Sequence, residues 1–354
     1  MLRTVRSGEE LPLKSLTIFL ENQGLIDTSD NDLKVQQFSN GFSNLTYLLN
    51  IGDKELVLRR PPQGAVKRGH DMSREYKVLS RLHPVFPKSP RAHVYCDDEL
   101  VIGSPFYIME RVDGIILTAK EAFRRKIPAE AFPVIAERWL TTLVELHRVD
   151  YASVELADLG RPEGYVERQV TNWGKQYLNA ATEDITEAEK LMAWMQSNQP
   201  SAYVASLIHN DYKYDNVIFA DDRWQTIRAV LDWEMCTLGD PLMDLGTSLA
   251  YWFTPEDREY IVTDLPSPTL LPGNPKRSEL VEKYEELTGQ PIDHLVFYYA
   301  FGLFKIAVIV QQIFYRYHKG HTKDPRFATL DVAARQFCRM AWQAVQKDRI
   351  IDLI

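Results

Sequence analysis

Residues 209–216 read HNDYKYDN and lie between short apolar stretches on both sides. Apolar runs that flank a polar segment in this way predict a loop held between two short buried strands. The loop contains the carboxylate of Asp211 and the amide of Asn216, with the ammonium of Lys213 between them. These three groups in one constrained segment decide how the rest of the chain is interpreted.

The spacing of these residues indicates phosphoryl-transfer chemistry. That reaction needs a carboxylate beside the attacking hydroxyl and oxygen ligands for magnesium, which the protein-kinase catalytic loop supplies as H-R-D-x-x-x-x-N. Asp211 and Asn216 have the spacing of the aspartate and asparagine in that loop. We predict that Asp211 is the catalytic base, that Asn216 is a metal ligand, and that Lys213 is a catalytic residue that reaches the transferred phosphate. The alternative is a polar loop without chemistry.

A second acidic site follows at the end of the next predicted strand. Residues 227–234 read IRAVLDWE, which places Asp232 sixteen positions after Asn216. Kinases have a second metal-binding aspartate in this part of the chain, and magnesium prefers such oxygen ligands. We therefore predict that Asp232 is a metal ligand. Glu234 either assists the metal through a water molecule or is a surface acid.

The segment FSNGFSNLTY, residues 38–47, is predicted to turn between two strands. Gly41 permits a close approach of the backbone to phosphate, and Ser43 and Asn44 offer hydrogen-bond donors. We predict that these three residues bind the nucleotide. The alternative is a hairpin turn with no such role.

The next predicted strand, residues 55–60, has Val57 and Arg59 on one face because side chains alternate along a strand. We predict that Val57 covers the adenine and that Arg59 reaches the phosphates. Glu75, in the predicted helix 71–82, is the acid that would hold Arg59 in place. The alternative is a solvated, charged edge strand.

The apolar periodicity changes along the chain and predicts two lobes of an α+β protein. The first is a small N-terminal nucleotide-binding lobe with an antiparallel sheet, residues 1–112, and the second is a larger, mostly helical C-terminal lobe with the catalytic loop and acceptor site, residues 113–354. The predicted strands are residues 33–38, 44–51, 55–60, 92–95, 105–112, 206–208, 217–219 and 227–231. The predicted helices are residues 13–24, 71–82, 128–147, 162–179, 186–197, 241–252, 277–288, 292–318 and 327–348.

In this order, the motifs resemble the aminoglycoside phosphotransferase and choline kinase-like phosphotransferase family, which shares the bilobal protein-kinase fold. The resemblance covers roughly residues 30–320. The segments SNGFSN at 39–44 and LRRPPQG at 58–64 are similar to the branch related to the kinase-like domain of certain acyl-CoA dehydrogenases.

The resemblance implies further roles. Residues 106–112, FYIMERV, resemble the linker strand whose backbone hydrogen-bonds adenine, which makes Glu110 and Val112 candidate nucleotide-binding residues. The segment GDPLMDLG at 239–246 resembles the family's segment after the metal aspartate, where Asp240 is expected to cap a helix.

The chain also departs from protein kinases. Arg59 stands where they have lysine, the glycine turn has one glycine instead of three, and no A-P-E-type element follows residue 234. Since that element docks peptides, its absence predicts a small-molecule acceptor. His209 is expected to brace the loop.

The composition is that of an ordinary soluble globular protein. The 354 residues are 45% hydrophobic and 25% charged with a formal net charge of −8, which argues against nucleic-acid binding. The three scattered cysteines form no CxxC pair and are typical of reduced thiols. With no apolar signal segment after the first residues, we expect a cytoplasmic protein.

Residues 295–310 are apolar enough to be considered as a membrane span. Lys305 lies in their middle, and a central lysine costs roughly 3 kcal/mol on insertion scales. We therefore expect a buried helix and no membrane partner.

Together these features predict an ATP- and Mg²⁺-dependent phosphotransferase that modifies an alcohol group of a small molecule. The resemblance implies a hydroxyacyl acceptor, including a hydroxyacyl-CoA. Two alternatives stay open, namely a catalytically silent nucleotide-binding module and a nucleotidyl transferase on the same fold. Aromatic residues of the second lobe either line the acceptor pocket or form the core; they are Trp252, Tyr298, Tyr299, Phe301, Phe304 and Tyr315.

Overall fold

The computed structural model describes residues 2–27, 32–38, 44–62, 71–260 and 267–353, with only the backbone described for 258–260. Two compact units divide the chain. The first unit comprises Met1–Gly114, Ala152–Leu156 and Arg228–Cys236, and the second comprises Ile115–Tyr151, Ala157–Ile227 and Thr237–Ile354. The predicted boundary between residues 112 and 113 divides the chain into two continuous segments. This domain assignment stays a prediction.

Regular elements account for most of the described residues. The strands are β1 (Leu2–Arg3), β2 (Leu33–Phe38), β3 (Leu45–Ile51), β4 (Lys54–Arg60), β5 (Ala92–Cys96), β6 (Phe106–Glu110), β7 (Ile115–Ile116), β8 (Ser206–Ile208), β9 (Val217–Phe219), β10 (Ile227–Val230) and β11 (Thr237–Gly239). The helices are α1 (Leu13–Asn22), α2 (Met72–Leu82), α3 (Glu99–Ile102), α4 (Ala119–Arg125), α5 (Phe132–His147), α6 (Tyr165–Ala180), α7 (Thr186–Ser197), α8 (Pro241–Ala250), α9 (Arg277–Thr288), α10 (Leu295–His318) and α11 (Leu330–Lys347).

The first unit is built on an antiparallel sheet with the strand order β1-β2-β3-β4-β6-β5. β3 and β4 form a tight hairpin in which Ile51 pairs with Lys54, and Gly52 supplies the positive φ of 55° that the turn requires. Strand alternation directs Leu56 and Leu58 into an apolar cluster with α1. The opposite face of β4 is thereby available to Val57 and Arg59.

Helix α2 carries an acid into the interior of the first unit. Asp71 caps the helix by accepting hydrogen bonds from the amides of Ser73 and Arg74, both at 3.1 Å. The buried residues of α2 recur at helical spacing and include Glu75 among the apolar side chains. The cap therefore fixes where the helix begins and, with it, the position of Glu75.

The second unit packs its helices around α10. Gly246 of α8 and Gly302 of α10 let the two backbones approach so closely that a Cβ atom on Gly302 would lie 2.4 Å from the carbonyl oxygen of Gly246. The short pair formed by β8 and β11 is antiparallel. The loop 209–216 begins directly after β8 and ends at β9, so it is held between short strands as predicted.

Among the described residues, α10 is the helix whose length and apolar composition would allow it to cross a membrane. Its most apolar 18-residue window is 78% buried inside the protein. Lys305, in the middle of α10, is buried with 2% exposure. The helix is accordingly part of the core of the second unit.

Candidate active site

The first unit contains a buried ion pair between β4 and α2. Arg59 Nη1 lies 2.7 Å from Glu75 Oε1, and the two side chains are 10% and 2% exposed. The pairing predicted from strand alternation and the helix position is therefore present. Arg60, the next residue, instead donates to the hydroxyl of Tyr47 and to the carbonyl oxygen of Glu9, at 3.0 Å in both cases.

Arg59 also contacts the segment that contains Asp232. Its Nη2 atom lies 3.2 Å from Asp232 Oδ1 and 3.7 Å from Glu234 Oε2. The side-chain Nδ2 atom of Asn44 donates to Glu234 Oε2 at 2.9 Å. Glu234 thus links Asn44 to Arg59, with its side chain only 19% exposed. The surface-acid interpretation of Glu234 does not fit these contacts.

The packing of α2 holds this segment inside the first unit. Arg74 donates to the carbonyl oxygen of Cys236 at 2.9 Å, and the amide of Val230 donates to the carbonyl oxygen of Lys88 at 2.6 Å. Between these anchors, Asp232 has a left-handed backbone with a φ of 68°. A non-glycine residue in this region costs on the order of 1–3 kcal/mol and is typical of functional sites.

Burial and charge shape the protonation of the pair. Burial disfavours the charged guanidinium of Arg59, but the carboxylate of Glu75, with Tyr107 and Asp232, outweighs it and holds the pKa of Arg59 well above its ordinary value. Burial raises the pKa of Glu75, and Arg59 opposes that shift only in part. Arg59 therefore stays cationic beside Asp232.

Of the remaining predicted nucleotide-binding residues, Val57 and Glu110 lie in the same sheet. Val57 pairs with Met109 across β4 and β6 and is 6% exposed. Glu110 ends β6, where its backbone amide donates to the carbonyl oxygen of Arg91 at 2.9 Å. Val112 follows two residues later outside regular structure. The predicted residues Gly41 and Ser43 lie outside the described residues.

The second unit brings together the three groups of the predicted catalytic loop. Asn216 Nδ2 donates to the backbone oxygen of Asp211 at 2.8 Å and to its Oδ2 atom at 2.9 Å. Lys213 Nζ lies 3.0 Å from the same Oδ2 atom. The side chain of Asp211 is 16% exposed, so its carboxylate is oriented by two donors and still reaches the surface.

Tyr251, at the end of α8, completes this group and was not predicted. Lys213 Nζ lies 4.9 Å from the centre of the Tyr251 ring. Burial opposes the charge on Lys213, but Tyr251 and Asp211 outweigh it and raise the pKa of the lysine above its ordinary value. Lys213 is therefore a permanent cation beside the carboxylate of Asp211.

The backbone before Asp211 is held by a buried acid of α8. Asp244 accepts hydrogen bonds from the amides of His209 and Asn210 at 2.6 and 2.8 Å, and it also pairs with His147 at 3.2 Å. His209 accepts a hydrogen bond from the amide of Asp211 at 3.3 Å. Both His209 and Asp244 thus brace the loop, a role that the sequence predicts for His209.

Asp240 caps α8, as the sequence predicts. Its carboxylate accepts from the amide of Leu242 at 2.9 Å, and Pro241 occupies the first helical position. Tyr298 donates to the other carboxylate oxygen of Asp240 at 2.7 Å. This cap sets the direction in which α8 leaves β11.

The donor atoms of Asp232 and Asn216 suit magnesium, which prefers hard oxygen ligands. The amide nitrogen of Asn216 is occupied by Asp211, which leaves the amide oxygen as the ligand atom. The side chain of Asp232 is 36% exposed. In the ranges that the structure describes, no three His, Cys, Asp or Glu residues gather into a metal cage, and a magnesium ion that keeps waters and uses phosphate oxygens requires none.

The predicted residues that contact one another therefore form two clusters, one in each unit. Arg59, Glu75, Asp232 and Asn44 meet in the first unit through the contacts given above. Asp211, Lys213 and Asn216 meet in the second unit.

Most of the aromatic residues considered for the acceptor pocket are core residues of the second unit. Those that are at most 3% exposed are Trp252, Tyr298, Tyr299, Phe301 and Phe304. The ring of Trp252 lies 5.1 Å from that of Trp139 and 4.8 Å from that of Tyr214. Tyr315 is half-buried.

Comparison with known proteins identifies the family to which the chain belongs. The sequence profile of the Phosphotransferase enzyme family matches residues 34–266. A crystal structure from Ralstonia eutropha JMP134, assigned to the aminoglycoside phosphotransferases, is 30% identical with a TM-score of 0.79, over 96% of this chain and 99% of that one. The chain belongs to this phosphotransferase family.

Two further proteins refine the likeness. The chain is 31% identical over 98% of its length to acyl-CoA dehydrogenase family member 10 of Mus musculus and covers 32% of that protein, so it spans about a third of this relative. The complex of APH(2″)-IIIa with GDP and kanamycin has a TM-score of 0.63 over 91% of this chain and 97% of that one, at 14% identity. The predicted α+β, protein-kinase-like fold is confirmed.

Proposed function

We propose that this phosphotransferase moves the γ-phosphate of ATP to a hydroxyl group of a small molecule. Membership of the phosphotransferase family supports phosphate transfer in general. The observation that carries the finer proposal is the arrangement of Asp211, whose Oδ2 atom is held by Asn216 at 2.9 Å and by Lys213 at 3.0 Å. A carboxylate oriented in this way suits proton abstraction from an alcohol.

In this proposal Asp211 orients the acceptor hydroxyl and takes its proton as the oxygen attacks the γ-phosphorus. Lys213 is the cation that balances the charge of the transferred group. Because its ammonium is already held beside Asp211 and Tyr251, little reorganisation is needed when that charge appears. Positioning and electrostatic stabilisation then supply most of the rate increase.

The nucleotide is proposed to contact the residues of the first unit. Val57 would cover the adenine, with hydrogen bonds from the backbone near Glu110 and Val112. Arg59, kept charged and fixed by Glu75, would contact the phosphates as a planar fork. Gly41, Ser43 and Asn44 complete the proposed nucleotide-binding set.

We propose that Asn216 and Asp232 hold Mg²⁺, which would neutralise phosphate charge. Two observations support a shared ion. The chain belongs to a phosphotransferase family, and both residues have oxygen donor atoms, Asp232 in the first unit and Asn216 in the second.

The acceptor is proposed to be a hydroxyacyl compound, with hydroxyacyl-CoA esters included. The support is the relative named an acyl-CoA dehydrogenase family member, which matches 98% of this chain. A neighbour solved with kanamycin makes aminoglycosides the comparison substrates. We further propose that the chain acts in the cytoplasm, where its buried thiols Cys96, Cys236 and Cys338 would stay reduced.

A panel of acceptors with MgATP tests this function. Hydroxy acids, their CoA esters, choline and aminoglycosides are each incubated with the protein, and ADP and pyrophosphate are both quantified. ADP that depends on acceptor and magnesium supports the proposal. Pyrophosphate release would instead indicate nucleotidyl transfer, and nucleotide binding without either product would indicate a silent module. Replacing ATP with GTP tests the choice of nucleotide, since APH(2″)-IIIa was solved with GDP.

A further inference from the structure

A single lysine lies within the most apolar helix of the second unit. Lys305 of α10 is 2% exposed, and its neighbours in sequence, Phe304 and Ile306, are also buried. Burying an ammonium group is costly unless hydrogen bonds and nearby charges compensate for the lost water. The contacts of Lys305 should therefore show what its charge is used for.

The shortest of these contacts is with Asn210, the residue before Asp211. Lys305 Nζ donates to the carbonyl oxygen of Asn210 at 2.6 Å, and it lies 5.8 Å from the centre of the Trp173 ring. Burial lowers the pKa of Lys305, and the carboxylates of Asp211 and Asp244 oppose that shift in part. The lysine is thus tied to the catalytic loop by a charge-assisted hydrogen bond.

The backbone amide, the backbone carbonyl and the side-chain oxygen of Asn210 each have a hydrogen-bond partner in the second unit. Its φ of 67° lies in the left-handed region, which asparagine adopts more readily than most residues other than glycine. The amide of Asn210 donates to Asp244 at 2.8 Å, and its side-chain oxygen accepts from the hydroxyl of Tyr165 at 3.2 Å. Lys305 supplies the donor for the carbonyl group, which is the peptide group that leads directly into Asp211.

We propose that Lys305 is a positioning residue for phosphate transfer, because its ammonium fixes the Asn210 carbonyl and thereby the orientation of the Asp211 carboxylate. This inference rests on the function proposed above for Asp211. It assigns to α10 a role in the reaction without contact with either substrate.

A purely structural lysine would behave differently from a positioning residue. Its replacement would change the melting temperature and leave turnover per folded molecule unchanged. Gln311 provides the matched control, because it lies on the same helix with 1% exposure. Its amide also donates to a backbone oxygen, that of Ala180 at 2.9 Å, which is not in the catalytic loop.

The test compares Lys305→Met with Gln311→Met in the full chain. For Lys305→Met we expect kcat to fall roughly 10- to 100-fold, as for a small misplacement of a reacting group, with KM for MgATP within about twofold. Amide hydrogen exchange in a peptide covering residues 209–213 should become faster. Gln311→Met should leave kcat and this exchange near wild type, and Lys305→Arg should restore part of kcat.

The inference is overturned if Lys305→Met keeps both kcat and loop exchange within about twofold of wild type, or if Gln311→Met lowers kcat equally. Wild-type protein without phosphate transfer would refute the proposed function, while loop exchange would still decide whether Lys305 fixes Asn210. Should Lys305→Met fail to fold, Lys305→Gln, which removes the ammonium and shortens the side chain, replaces it in both measurements with the same expected losses.

Discussion

At the scale of single residues, two adjacent arginines of β4 lie on opposite faces of the strand and contact different partners. Arg59 contacts Glu75 and Asp232, at 2.7 and 3.2 Å, whereas Arg60 bonds Tyr47 and Glu9 on the other face. We expect Arg59→Ala to lower kcat/KM for MgATP by at least about 10-fold, since the loss of a charged contact costs about 1.5–3 kcal/mol. Arg60→Ala should reduce the melting temperature and change kcat/KM less than about threefold.

Equal effects of the two substitutions on kcat/KM would contradict the assignment of the two faces. Steady-state kinetics with varied MgATP, alongside thermal unfolding of both variants, provide the comparison. Arg59→Lys should retain part of the activity, because it keeps the charge but loses the planar fork.

The same scale yields a pH prediction for Lys305. Burial lowers its pKa from 10.5 to about 8, while Asp211 and Asp244 act in the opposite direction and Lys213 adds to the lowering. Between about pH 8 and 10.5 the unfolded chain therefore binds a proton that the folded chain does not. The free energy of unfolding should accordingly rise as pH increases from 8 to 10.5. As pH falls back to 8, this gain in stability is lost.

Denaturant unfolding of the wild type and Lys305→Met at several pH values isolates this contribution. The difference between the two free energies should rise with pH by up to about 1.4 kcal/mol per unit between pH 8 and 10.5. It should be flat between pH 6 and 7.5. A difference that does not depend on pH would show that the lysine is not buried as described.

At the scale of elements, local sequence patterns predict correctly the helices and strands whose residues have a clear apolar run or periodicity. The predicted strands 206–208 and 217–219 and the helix 186–197 coincide with β8, β9 and α7, because each is an apolar or periodic run bounded by polar residues. β1 was not predicted, since two residues carry no periodicity and are ordered only by pairing with β2. The short helix α4 was also missed.

The packing of α8 against α10 depends on glycine. A Cβ atom at position 302 would lie 2.4 Å from the carbonyl oxygen of Gly246 and 2.8 Å from its carbonyl carbon. Gly302→Ala should therefore force the helices apart and destabilise the protein by about 1–3 kcal/mol. Gly174→Ala in α6 is the control, because its Cβ would meet the Met192 sulfur at an ordinary 3.4 Å.

Denaturant unfolding measures both variants. In a helix interior, alanine is preferred to glycine by roughly 0.5–1 kcal/mol, so Gly174→Ala should be neutral or stabilising. If Gly302→Ala is as stable as the wild type, the close approach of α8 and α10 is not present in solution.

At the scale of the whole molecule, the sequence predicted contacts between neighbouring segments better than contacts between distant ones. The pair Arg59–Glu75 followed from strand alternation and a helix position sixteen residues away. The bond from Lys305 to Asn210 spans 95 positions, and nothing local indicates it except a charge in an apolar helix. Similarly, nothing local indicates that residues 228–236 contact Arg74 and Lys88 within the first unit.

The central claim is that Asp211 acts on the acceptor hydroxyl while Asp232 acts on the metal and nucleotide. It is tested most directly by measuring MgATP binding calorimetrically and ADP formation kinetically for Asp211→Asn and Asp232→Asn. Asp215→Asn, at an exposed carboxylate of the same loop, is the control and should resemble the wild type. Asp232→Asn should lose both magnesium-dependent binding and turnover, because a full negative charge is removed from the proposed metal site.

Asp211→Asn keeps the size of the side chain but cannot accept a proton. It should bind MgATP with an affinity within about threefold of wild type, while turnover falls by roughly 10²–10⁴, the contribution of a general base. The opposite pattern, in which Asp211→Asn turns over the acceptor at the wild-type rate, would contradict the account.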